Sequence, residues 1–245
     1  MTETIDQAPL FSQRFVMKLT AGIAGLCALT IAISFAGRQF GDSMVLAGHT
    51  ADETPVEIVI GEDVLTLPAN VIRFEAARKS GVQDAVDTYF VWPGMLGYSD
   101  RTRKIFDQTE TARGLIFAQA AQATMSRDMS GRFEPIYKRL IEGAAIPGPG
   151  GLVSYRIRSG SGYQSELLYV DPEGGIRPYT VRCLNDSADQ SGFSTRTGCQ
   201  RDIFLGQDLS VTYRFSIDLL PQWKQIEQDV RDRFTLALSE GQSTQ

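Results

Sequence analysis

Residues 209–238 read LSVTYRFSIDLLPQWKQIEQDVRDRFTLAL. The first part alternates: Leu209, Val211, Tyr213, Phe215 and Ile217 are interleaved with Ser210, Thr212, Arg214, Ser216 and Asp218. Successive side chains on a strand point to opposite faces, so this is a strand with one face on a core and the other in water, as antiparallel sheets allow. The period then changes. Trp223, Ile226, Val230, Phe234 and Ala237 recur at helical spacing, while Lys224, Glu227, Asp229, Arg231 and Asp232 fall mostly elsewhere. Pro221 suits a first turn, where no helical N–H bond is lost. The pattern predicts an α+β fold, with a mainly antiparallel sheet and a C-terminal amphipathic helix over 221–238 packed on one face.

Upstream of this strand the same grammar recurs. Val56–Ile60 and Val64–Leu67 flank Gly61-Glu62-Asp63, which predicts a hairpin closed by Pro68. Residues 71–86 are ambiguous, with room for a short helix broken at Gly81. Asp87–Trp92 reads as a strand stopped by Pro93-Gly94. Arg113–Ser126 fits either a strand or a helix, and Arg132–Ile141 a helix with Pro135 in its first turn. IPGPGG at 146–151 is the clearest break. Beyond it, strands over 152–158, 165–170 and 176–183 are separated by Gly-, Pro- and Asp-rich turns. The terminal GQSTQ should be mobile.

Leu19–Ala36, LTAGIAGLCALTIAISFA, carries no charge. A bilayer core needs about 20 apolar residues in a helix, and adding Val16 and Met17 reaches that length. Arg14 and Lys18 precede the run, and Arg38, Asp42, Asp52 and Glu53 follow it. The positive-inside bias therefore leaves the N-terminus in the cytoplasm and exports the rest. Two readings are open. One is a retained anchor, which the long and nearly neutral leader favours; the other is a signal cleaved near Ala36 at Ser34-Phe35-Ala36. On the first, residues 1–18 are cytoplasmic, 19–37 span the bilayer, 38–55 form a juxtamembrane linker, and 56–240 form a periplasmic domain with a subdivision near 146–151. Ala24, Ala28, Ala32 and Ala36 make a smooth face through which a second copy could approach as a homodimer.

The supply of chemistry is thin. The chain has 245 residues, a formal net charge of −5, three cysteines and one histidine, His49. Its 42% hydrophobic content fits a folded domain, and its acidic balance argues against a nucleic-acid partner. Cys183 and Cys199 enclose a polar, Gly/Ser-rich segment. In an oxidising compartment they should form a disulfide worth about 3 kcal/mol. Cys27 lies inside the apolar run. Zinc lacks ligands, and His49 falls in the linker, where nothing would hold it for catalysis. The carboxylate pairs Asp84/Asp87, Glu227/Asp232 and Asp171/Glu173 suit solvated faces or turns, and their spacing lends no support to a carboxylate enzyme. The Gly-rich stretches at 148–151 and 160–162 are turns, not phosphate cradles. No catalytic, cofactor-binding or metal-binding residue is assigned. The residues offered for partner binding are Trp92, Met95 and Tyr98 in an aromatic loop, with Arg101 and Arg103 just beyond it.

The stretches VEIVIGEDVLTLPANVIRF, WPGMLGYSD and LSVTYRFSIDLLPQWKQIEQDV, together with the single N-terminal span, give the chain a layout that resembles a broad group of uncharacterised proteobacterial transmembrane-anchored proteins. The resemblance covers most of the chain, and none of its motifs is a catalytic signature. It implies a single-pass inner-membrane protein with a periplasmic domain. With the scarcity of chemical groups, the expectation is a non-catalytic module that binds an envelope protein or component.

Overall fold

A computed structural model describes residues 13–45, 48–107, 113–163, 165–185 and 198–242. The chain divides into two compact units, Met1–Gly48 and His49–Gln245. In the first, helix α1 runs over Gln13–Val45, and its window Met17–Ser34 is long and apolar enough to cross a membrane. The helix therefore continues into the stretch read as a linker. Arg38-Gln39-Phe40 contains no breaker, and adding a residue to an existing helix costs far less than starting one. Ala24, Ala28 and Ala32 are exposed on it.

The second unit is α+β. Strands β1 (Pro55–Ile60) and β2 (Asp63–Pro68) form the expected hairpin, and β3 (Gly81–Val82) adds a short parallel edge. The region 69–80 forms two 3-10 turns, Ala69–Val71 and Glu75–Ala77, not a longer helix. The large sheet has eight antiparallel strands in the order β4-β5-β11-β10-β9-β8-β7-β6. They are β4 (Ala85–Val91), β5 (Leu115–Gln122), β6 (Ile141–Pro147), β7 (Val153–Ile157), β8 (Glu166–Val170), β9 (Thr180–Leu184), β10 (Cys199–Leu205) and β11 (Leu209–Phe215). Helix α2 spans Arg103–Asp107 and α3 spans Lys138–Leu140.

Several local ambiguities resolve toward strand. Leu115–Gln122 is β5, because its alternating Ile116, Ala118 and Ala120 enter the core. The helix expected over 132–141 shrinks to a π-turn at Phe133–Tyr137 followed by α3, and Ile141 already begins β6. Pro149–Gly151 makes the turn between β6 and β7. Residues 186–197 and 243–245 lie outside the described residues, and with them most of the segment between the two cysteines and the end of the tail.

Helix α4 (Trp223–Gln242) covers one face of the large sheet, as the heptad-like spacing requires. Ile226, Val230 and Phe234 share one core with Phe90, Ile116 and Val211 from the sheet and Leu65 and Leu67 from the hairpin. A side-chain clamp joins the hairpin to the sheet. Asp63, 2% exposed, accepts from the backbone N–H groups of Gln207 (2.9 Å) and Asp208 (3.0 Å) in the β10–β11 turn. Gly206 in that turn has φ +59°, and a Cβ there would collide with the Asp63 carboxylate.

Beneath α4 lies a buried ion pair. Arg201 on β10 is 2% exposed, and its Nε and Nη2 donate to Glu227 of α4 at 2.8 and 3.0 Å. The guanidinium also donates to Thr180 O (2.8 Å) and Ser130 Oγ (3.1 Å), and the Tyr213 hydroxyl donates to Glu227 (2.5 Å). Burial alone would push the Glu227 carboxyl up; the hydrogen bonds and charge of Arg201, with Tyr213 and Arg231, outweigh it and hold the pKa at about 2. Burial pushes the Tyr213 phenol well up, so it remains a donor.

Cys183 on β9 and Cys199 on β10 are directly paired in the ladder, joined by a disulfide and fully buried in the main core. In the native full-length protein both thiols should resist alkylation until a reductant is added under unfolding conditions. Alkylation of Cys183 or Cys199 in the unfolded but unreduced protein, as distinct from the free Cys27, would contradict this. Glu227 gives a pH prediction. Its folded pKa lies below the ordinary 4.5, so it stabilises the fold fully above pH 4.5 and loses that contribution as pH falls toward 2. The stability gap between wild type and E227Q in denaturant titrations should be roughly 3 kcal/mol at neutral pH and shrink toward zero near pH 2.

Candidate functional site

Among the described residues, the face of the large sheet opposite α4 is covered only at its two ends. At one end the segment 129–140 packs Met129 and Tyr137 onto Leu168 and Val170 of β8 and Ile157 of β7, a small second core. At the other, Tyr89 of β4 is capped by His49, Tyr98 and Phe106. The His49 ring stacks on Tyr98 (4.8 Å, 12°) and meets Tyr89 edge-on (5.3 Å), with Nδ1 3.0 Å from the Tyr89 hydroxyl. Between these walls the strands β5, β11 and β10 leave an open trough.

The ladder register maps its floor in rows. Phe117, Arg214 and Gln200 lie opposite one another on β5, β11 and β10, and Arg182 of β9 continues the row. The next row is Gln119, Thr212 and Asp202; the one after is Ala121, Ser210 and Phe204. These are the polar positions of the alternation that puts Val211, Tyr213 and Phe215 in the core. The main groove measures about 430 Å³ and shares Gln119 and Thr212 with a smaller hollow of about 190 Å³ bounded by Arg73, Phe117 and Arg214.

Some charges on the trough are already spent. Arg132 on the far wall donates to Asp202 in a short ion pair. Arg182 pairs with Glu166 (3.0 Å) and lies over the Tyr163 ring, with its buried Nε meeting no partner among the described residues. Asp87 accepts from Gln119 Nε2 (3.2 Å). By contrast, the side chains of Gln200, Ser210, Thr212 and Arg214 make no hydrogen bond to the described residues. The trough can offer amide, hydroxyl and guanidinium groups to something laid across it.

The sequence-proposed residues land elsewhere. Met95 (8% exposed) and Tyr98 (1%) are buried, and Trp92 is half-buried with its Nε1 donating to Asp229 Oδ2 (2.7 Å). The aromatic loop thus packs inward and leaves Leu96 and Arg101 on the surface. Arg103 is half-buried and donates to Asp107 (3.2 Å). His49 corrects the reading of it as unfixed, because aromatic residues from β4 and α2 and from the loop between them form a nest around it. The carboxylates read in pairs are dispersed: Glu227 serves the buried ion pair, Asp232 accepts from Gln228, and Asp171 caps Glu173 N. The open face was missed because its polar half-strand looks like any solvated surface. The clue was the alternation in β11, which implied a second face but not that it would stay uncovered.

No family model matches the chain, and no curated protein sequence does. Two solved structures are similar. An immunity protein of the Stenotrophomonas maltophilia type IV secretion system matches with a TM-score of 0.52 and 19% identity, covering 78% of this chain and 95% of its own. The Neisseria meningitidis iron-regulated outer membrane lipoprotein FrpD matches with a TM-score of 0.45 and 12% identity, covering 76% of this chain and 95% of its own. The first likeness places the second unit in a known α+β fold.

The His49 nest generates a prediction. Burial disfavours the imidazolium, Asp107 opposes that, and Arg78 and Arg73 add to it; the net pKa lies below 6.5. Because the chain has one histidine, a pH series of its ring resonances reads this directly. Asp107→Asn removes the carboxylate that favours the imidazolium and should lower the midpoint further.

Proposed function

We propose that this chain is a membrane-anchored module that binds a protein partner through the open face of its large sheet and performs no chemistry of its own. The observation that carries this is the trough itself, a rigid β-ladder floor with unspent polar groups between two packed walls. Interfaces built on regular strands hold their contact groups at fixed spacing, which lowers the ordering cost of binding. The like fold of a secretion-system immunity protein is in keeping with a binding role.

The anchor reading rests on α1. Residues 19–37 cross the inner membrane, with 1–18 on the cytoplasmic side, where Arg14 and Lys18 favour retention, and 38–55 leading to a periplasmic domain over 56–240. The buried Cys183–Cys199 bridge supports export, since such bonds persist in oxidising compartments.

In intact cells a protease should digest the domain only after the outer membrane is opened, and the intact mass should retain residues 1–36. A native chain lacking them would replace the anchor with a cleaved signal. A photo-crosslinking side chain at Thr212 should capture one discrete protein partner in the native host, and the same group at the exposed Lys224 of α4 should not. Equal capture at both positions, or none at Thr212, would remove the open face as the binding surface.

A further inference from the structure

The hollow at the β4 end of the trough has more definite chemistry than the rest. Arg73 follows the short bridge between Ile72 and Thr88, and its N–H donates to Asp87 O (2.8 Å), so its backbone is tied to the sheet edge. Its guanidinium stacks on two rings, Phe74 at 5.0 Å and Phe117 at 5.2 Å. Arg214 is the direct ladder partner of Phe117 on the neighbouring strand. The two arginines therefore flank one ring on the floor of the trough. Neither makes a side-chain hydrogen bond or an ion pair with the described residues.

Among the described residues, the one carboxylate lining the hollow, Asp87, is held by Gln119. Two guanidiniums thus face one carboxylate, an excess of positive charge on a chain whose net charge is −5. Stacking fixes a guanidinium without using its N–H donors, so its fork is pre-organised for a planar, bidentate acceptor. Arginines of this kind, set beside an aromatic ring in a partly enclosed hollow, are the groups that dominate binding energy at protein interfaces.

We infer that the Arg73–Arg214 hollow receives carboxylate side chains from an extended acidic segment of the partner protein. This deepens the reading of the open face as a protein-binding surface and rests on it. The hollow of about 190 Å³ admits one or two carboxylate side chains, and the adjoining polar rows continue as a track for the segment's backbone.

The test uses the full chain in zwitterionic detergent and a dye-labelled eight-residue peptide alternating Glu and Thr, which in extended form presents every Glu on one face. Fluorescence anisotropy should show saturable binding that weakens with salt. R73Q and R214Q should each weaken it roughly tenfold, while K224Q, at an exposed lysine of α4 on the opposite side of the sheet, leaves it unchanged. Circular dichroism and melting of each variant confirm that the fold is retained. The inference is overturned if the peptide fails to bind, if an alternating Lys/Thr peptide binds equally well, if R73Q and R214Q bind like wild type, or if anionic phospholipid vesicles displace the peptide through the same two arginines. Partner capture at Thr212 without acidic-peptide binding would end this inference and leave the open-face reading standing; absence of both would end both.

Discussion

The architecture turns on the Arg201–Glu227 pair. Burying an ion costs several kcal/mol, and the cost is recovered only when the geometry is good and the remaining donors and acceptors are satisfied. Here the guanidinium donates to the carboxylate, to Thr180 O and to Ser130 Oγ, and the carboxylate also accepts from Tyr213. One pair thereby ties α4 to three strands and to the segment that forms the far wall of the trough. It fixes the face of the sheet that α4 covers, and with it the face that the described residues leave open.

That asymmetry links fold to function. A sheet buried on both faces would have only its edges and loops to offer a partner. In this molecule the helix and hairpin share the core of one face, while the described residues close the other over its ends, through the His49 nest and the Met129–Tyr137 cluster. The middle strands present side chains on a spacing fixed by the hydrogen-bond ladder. Two further ties keep that platform stiff: the disulfide between adjacent strands β9 and β10, and the Asp63 clamp that locks the hairpin to the β10–β11 turn and forbids a side chain at Gly206.

The sequence pattern alone determined the α+β class, the hairpin at 55–68, the half-buried strand ending at Phe215, the C-terminal helix and the apolar N-terminal helix. Each is written in a local period or a turn residue, and local periods follow from backbone geometry within a few residues. The pairing of Cys183 with Cys199 was legible because the composition of the intervening segment left it without apolar anchors.

What required the tertiary structure was every feature made by residues distant in the chain. Strand β10 was passed over because a buried Arg201 breaks the apolar signal of its inward face, and what makes that arginine tolerable is distant in the chain: a glutamate on a helix 26 residues away, with Thr180 O and Ser130 Oγ. His49 looked unfixed and Trp92, Met95 and Tyr98 looked available to a partner, yet the His49 ring stacks on Tyr98, and Met95 and Tyr98 are buried. The trough between the walls could not be read from composition, since a polar half-strand under a packed layer and one facing water carry the same letters. Burial is a property of what packs across from a residue, and sequence spacing records only what lies beside it.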